Sequence, residues 1–138
     1  MPRGLLVDAG PLVAILSRRD RHHRSCVDVL KATRGPLLST WMPVTEAMCL
    51  LDFSMAGQGA LLEMIEMGAL QILDIVPEDM PAIHKLMKKY RDQPVQFADA
   101  SLVQVANRLG LDELFTLDRR DFGVYRLTRN RPFKILPA

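Results

Sequence analysis

The chain has 138 residues, 49% of them hydrophobic and 25% charged, which suits one folded domain and excludes a disordered chain. No apolar run reaches the roughly 18 residues of a membrane helix, and Asp8 and Gly10 interrupt the apolar N-terminus, so neither a membrane span nor a secretion signal is expected. The net charge of +2 points strongly to no class of partner.

The first predicted element is a short apolar strand from Gly4 to Val7, ending at Asp8. Gly10 and Pro11 then turn the chain into a helical segment, Leu12 to Leu16. A second helix is expected after Asp20, carrying Val27, Leu30 and Lys31 and stopped by Gly35-Pro36. Leu37 to Ser39 reads as a second strand. Pro43 suits the first turn of a third helix running through Glu46, Leu50 and Phe53 to about Ala56. Gly57 and Gly59 separate it from a fourth helix, Ala60 to Met67, ended by Gly68. A strand from Leu70 to Val76 and a helix from Glu78 to Tyr90 follow. Phe97 to Leu109 has the clearest helical pattern, closed by Gly110. Leu114 to Leu117 predicts a strand ending at Asp118, and Phe133 to Leu136 a last short strand.

Brief apolar strands alternating with helices predict a parallel sheet covered on both faces. Ligands in such sheets bind beyond the carboxyl ends of the strands. Two strands here lead into aspartates at that end, Asp8 and Asp118. Either could simply cap the helix that follows. Glu46 sits with Cys49, Leu50 and Phe53 at three, four and seven residues on, so it extends an apolar stripe. A glutamate in a first turn also favours the helix dipole. Asp99 heads a similar stripe, Leu102, Val103 and Ala106, and a carboxylate on a core-facing stripe needs a partner.

Two acids at strand ends and two at helix starts can converge on one rim. Converging like charges need a cation, and an all-oxygen donor set selects Mg²⁺ or Mn²⁺ rather than zinc. Such a site activates water against a phosphodiester. Arginine outnumbers lysine and forms two clusters, Arg18, Arg19, Arg21 and Arg24, then Arg119, Arg120, Arg126, Arg129 and Arg131. Guanidinium forks suit phosphate oxygens, though a solvated basic face is the simpler account. His22, His23 and His84 could act as acids or bases near neutral pH, but the adjacent pair, lying among arginines, is expected to be solvated or to touch phosphate rather than to catalyse. Trp41 and Met42 are expected to pack, as are both cysteines, Cys26 and Cys49, which suit a reducing cytoplasm. Met48, Met55, Met64 and Met67 either fill the core or form an adaptable interface.

Four segments in order carry a resemblance. Leu6-Val7-Asp8-Ala9-Gly10-Pro11-Leu12-Val13-Ala14 resembles the opening of the PIN-domain nucleases. Glu46 stands in a helix after the second strand, and Phe97-Ala98-Asp99-Ala100-Ser101-Leu102 is similar to that family's central aspartate helix. Leu114 to Phe122 is similar to its closing motif, with a threonine two before an aspartate and then an Asp-Phe pair. The resemblance covers nearly the whole chain and implies a single PIN-like domain over 1–138, a three-layer α/β/α sandwich about a parallel sheet of about five strands. It implies that Asp8, Glu46, Asp99 and Asp118 bind the metal and catalyse, that Thr116 supports them by hydrogen bonding, and that Asp121 assists or caps. Members of this size resemble VapC-type toxins, ribonucleases restrained by a small antitoxin and commonly homodimeric. The implied substrate is RNA, with Arg18, Arg19, Arg21, Arg24, Arg119 and Arg120 as candidate contacts. Where many members carry serine or threonine two residues after the first aspartate, this chain has Gly10.

Two other classes compete. Phosphatases of the haloacid-dehalogenase type need an acid where Gly10 stands, and response-regulator receivers need an acidic pair and a later lysine that are missing. A PIN-like module that holds RNA or protein without cutting would have no need to concentrate negative charge against RNA.

Overall fold

The computed structural model describes residues 4–93 and 95–138. Five parallel strands form the central sheet in the order β3-β2-β1-β4-β7, with β1 (Leu5–Val7) in the middle. It pairs with β2 (Leu37–Ser39) on one side and β4 (Glu113–Phe115) on the other. The edges are β3 (Leu70–Ile72) and β7 (Lys134–Leu136). A two-residue antiparallel pair, β5 (Arg126–Leu127) with β6 (Arg131–Pro132), forms a hairpin apart from the sheet.

Alternation along each strand splits the core in two. Leu5, Val7, Leu37 and Phe115 face a layer containing α1 (Ala9–Leu16), α2 (His23–Ala32), α3 (Trp41–Leu50) and α4 (Met55–Glu66). Leu6, Leu38 and Leu114 face α6 (Phe97–Leu109), Phe122 and Tyr125, with α5 (Met80–Lys89) packed against α6. The central strand β1, buried on both faces, reads as an unbroken apolar run, whereas Gln71, Glu113 and Lys134 stand exposed in β3, β4 and β7. The three-layer α/β/α sandwich is therefore present as expected, with strand and helix types in place. No helix among the described residues is long and apolar enough to cross a membrane.

Several boundaries and burials differ from those the sequence predicts. The break between α3 and α4 falls at Ser54, not at Gly57 and Gly59: the Ser54 hydroxyl accepts the Gly57 N–H at 2.9 Å and starts α4 before both glycines. A Cβ on Gly57 would lie 3.3 Å from Leu51, so close packing rather than helix breaking accounts for that residue. The strand at 70–76 ends at Ile72, and β4 stops at Phe115, short of Asp118. The stripe of Cys49, Leu50 and Phe53 is exposed, because α3 buries Pro43, Val44 and Ala47 instead. Trp41 is half exposed rather than packed, and Cys49 is exposed while Cys26 is buried. Phe97–Leu109 and its Gly110 cap, at φ +69°, match the predicted helix.

Two contacts fix α6, which carries Asp99. At its start, the buried hydroxyls of Thr40 and Ser101 are 2.7 Å apart, tying the heads of α3 and α6 together. Near its end, Asp79 accepts from the Val76 N–H, the Gln104 amide and the Arg108 guanidinium, all within 3.1 Å. Asp79 is buried while Arg108 is exposed, so Asp79→Ala leaves the Val76 N–H and the Gln104 amide without their acceptor and should cost about 1–3 kcal/mol in urea unfolding, whereas a fully exposed pair would cost under about 1.

Candidate active site

The chain leaves β1 at Val7 and turns at once into α1. Asp8 makes that turn: its Oδ1 accepts the Ala9 N–H at 2.9 Å and caps α1. Its Oδ2 accepts the Thr116 hydroxyl, also at 2.9 Å. Thr116 in turn accepts the Asp118 N–H at 3.0 Å, so one side chain spaces the two aspartates. Asp118 Oδ1 then accepts the Asp121 N–H at 3.0 Å, capping the four-residue helix α7 (Arg119–Phe122). Both aspartates are caps and both also line an open cleft, so the capping reading and the site reading hold together.

That cleft, of about 480 Å³, lies beyond the carboxyl ends of β1 and β4. Asp8, Glu46, Asp99, Asp118 and Asp121 all line it, with Gln96 alongside. Glu46 is exposed as a residue, but it stands on the turn of α3 that borders the cleft. Asp99 sits in the first turn of α6, where Tyr125 donates its hydroxyl to Oδ2 at 3.3 Å, a long and weak bond. The partner that Asp99 needs is thus a tyrosine from a distant segment.

The electrostatics follow from crowding. Burial pushes the Asp8 carboxyl upward from 3.8, the Ala9 and Thr116 bonds pull it back, and the Asp118 charge raises it again. Asp99 is pushed up to about 7, by burial first and then by Asp8, with Tyr125 opposing and Asp118 and Asp121 adding to the rise. Burial and then Asp8 raise Glu46. Burial raises Asp121, the neighbouring Asp118 adds to it, and Arg120 lowers it. Burial and the Asp99 charge hold Tyr125 protonated, so it remains a donor. Every acid here that shifts is therefore raised, partly by another acid.

This donor set fits a hard divalent cation: the lining offers carboxylates and an amide, with no cysteine or histidine. Among the described residues, no three acid, histidine or cysteine side chains already stand in a ligand arrangement; the carboxylates border the cleft instead of meeting at a point. Gly10 also lines the cleft, and a Cβ there would meet Leu117 at an ordinary 3.5 Å, so the space would take a small side chain.

None of the six candidate RNA-contacting arginines lines the cleft. Arg120 lies near Asp121, while Arg119 donates to the Pro137 carbonyl at 2.6 Å. Arg18, Arg19, Arg21 and Arg24 are exposed around the start of α2. Tyr125 and Gln96 escape sequence reasoning altogether. The tyrosine belongs to no motif, and the glutamine precedes the helix on which attention falls.

The PIN domain family profile matches residues 5–127. The chain belongs to the PIN-domain family. Over 139 aligned positions it is 24% identical to Ribonuclease VapC26 of Mycobacterium tuberculosis, covering 96% of this chain and 100% of that protein. The fold is similar to that of M. tuberculosis VapC20, a toxin that cleaves the sarcin-ricin loop, with a TM-score of 0.76, 12% identity and coverage of 84% and 91%. It is similar also to a toxin–antitoxin complex from Klebsiella pneumoniae, at TM-score 0.68 and 20% identity, covering 87% of this chain and 91% of that one. VapBC2 from Rickettsia felis, bound to promoter DNA, matches at TM-score 0.65 and 12% identity, with 95% and 97% covered.

The raised Asp99 gives a pH signature to metal-free protein. The folded state holds this proton up to about 7, whereas the unfolded chain releases it near 3.8. Its contribution is therefore present at low pH and lost as pH rises through that window. In EDTA, Asp99→Asn should be the more stable protein at pH 8 by about 1–2 kcal/mol, the full linkage being reduced for a partly solvated group. The two proteins should converge near pH 4. Thermal melts of both across that range check it, and parallel curves would contradict it.

Proposed function

We propose that this chain is a Mg²⁺- or Mn²⁺-dependent endoribonuclease, a single nuclease domain over residues 1–138, and the toxin of a toxin–antitoxin pair. The observation that carries the reading is the cleft in which Asp8, Glu46, Asp99 and Asp118 stand together at the carboxyl end of the sheet, each raising or being raised by a neighbour's charge. Ribonuclease VapC26 is a relative over nearly the full chain, and similar folds include a toxin and a toxin–antitoxin complex.

In this reading Asp8 is the fixed ligand, because two donors set its rotamer before anything binds. Thr116 supports it and holds Asp118 in register through one hydroxyl. Tyr125 gives Asp99 one weak donor, while Glu46 approaches from the side of α3. A divalent ion held by these four would supply an activated water and neutralise charge building on the phosphoryl oxygens. Asp121 stands beside them in α7, where its N–H donates to Asp118 and the Asp118 charge raises its own carboxyl. The substrate is RNA, and the setting is the cytoplasm.

A small antitoxin and a second copy of the chain are the proposed protein partners. Supporting them, Leu50, Phe53, Met55 and Met67 are exposed on α3, α4 and their ends, with Met55 at 89% and Met67 at 82%. Contiguous apolar patches mark interfaces, and Leu50, Phe53 and Met55 fall within six consecutive residues.

The test is cleavage of a mixed, structured RNA by purified protein in Mg²⁺, Mn²⁺ or EDTA, with Asp99→Asn in parallel. Cutting should require metal and fall by about 100-fold or more in the variant. Cutting that persists in EDTA, or that the variant retains, would remove the metal site. RNA bound but uncut under every metal would leave a binding module.

A further inference from the structure

The last turns of α5 and the β5–β6 hairpin enclose a second groove, of about 670 Å³, on the α5 side of the molecule. Lys85, Lys88, Lys89, Arg91, Arg126 and Arg129 line it, and no acidic residue does. The three lysines are spaced three and four apart, so they share one face of α5 and repel one another. The dipole at the end of α5 favours Lys88 and Lys89, but it gives no reason for Lys85, or for two arginines brought up from 40 residues away. Among the described residues, the ion pair found is Arg108 with Asp79, so none of these six cations has an acidic partner.

The groove is also shaped. Nη1 of Arg126 donates to the carbonyls of Gly123, Val124 and Tyr125 at 2.7–3.2 Å, which fixes its charge in place. The Arg126 N–H donates to the Tyr90 hydroxyl at 2.9 Å, joining hairpin to helix. Arg129 sits at φ +64° in the hairpin turn, a conformation that costs a non-glycine residue free energy. Tyr90, partly buried and packed edge to face against Tyr125 at 5.1 Å, carries the Lys89 ammonium 5.3 Å over its ring and so helps place that charge in the groove. A positively charged groove tracks the backbone of a single nucleic-acid strand.

We infer that this groove binds the phosphate backbone of single-stranded RNA flanking the scissile bond, which rests on the ribonuclease reading for the identity of the polyanion. Consecutive residues connect the two sites: Tyr125 reaches Asp99 in the acid cleft, and Arg126 lines the groove. The acid cleft repels RNA until a cation fills it, so retention of the strand falls to a separate cationic surface. The groove supplies one.

The test is fluorescence anisotropy of a labelled oligouridylate with the full chain in EDTA, across a series of KCl concentrations. The combined variant Lys85→Gln, Lys88→Gln, Arg91→Gln and Arg129→Gln should weaken binding by about tenfold or more and flatten the salt dependence by about 2–3 in log–log slope. Its melting temperature should match the parent's, since Lys85, Lys88, Arg91 and Arg129 are exposed. A matched set at Arg18, Arg19, Arg21 and Arg24 should leave binding nearly unchanged. Unaltered affinity and slope in the groove variant would overturn the inference, as would a loss confined to the Arg18 set. Failure of the ribonuclease reading is separable: RNA binding lost in the groove variant, with no cutting by the parent in any metal, keeps the groove and discards the nuclease.

Discussion

The molecule is organised around one unfavourable interaction, the crowding of carboxylates at the carboxyl end of a parallel sheet. Asp8 must follow β1 because the turn into α1 needs its cap, and it must be buried because β1 is the central strand. Asp99 comes to the same cleft because its helix packs over the opposite face of that strand. Like charges in a partly dry cleft cost free energy unless something positive enters or a proton stays on. The raised Asp99 shows the proton solution; a divalent cation is the other.

The scaffold tolerates that cost through bonds made elsewhere. The Thr116 hydroxyl bridges Asp8 and the Asp118 backbone, Thr40 and Ser101 join the heads of α3 and α6, and Asp79 gathers Gln104 and Arg108 near the end of α6. These contacts are hydrogen-bonded and mostly buried, where they hold direction well. Positive charge is placed at a distance, among the cations of α5 and the hairpin, instead of being paired off within the acid cleft. Acid and base are thereby separated on a chain whose net charge is only +2.

How much of this was legible depended on whether the signal was local. Asp8 after an apolar strand, the stripe below Asp99 and the Gly110 stop are properties of neighbouring residues, and each appears where the sequence places it. Glu46 was found through a stripe that turned out to face solvent: periodicity reveals an apolar face of α3, but it does not tell which face meets the sheet. The α3–α4 junction was misplaced for a similar reason, since Gly57 signals close packing as readily as a helix break. Tyr125, Gln96 and the convergence of Lys85 with Arg129 are tertiary facts. They join segments far apart in the chain, and composition and spacing carry no trace of them.

The central claim, that the carboxylate cluster is a divalent-cation site, is met most directly by titrating Mn²⁺ into metal-free protein in a calorimeter near pH 7.5. The account predicts saturable binding with proton release from Asp99, lost or weakened by about tenfold or more in Asp8→Asn. Absence of binding in the parent, or equal binding in the variant, would contradict it.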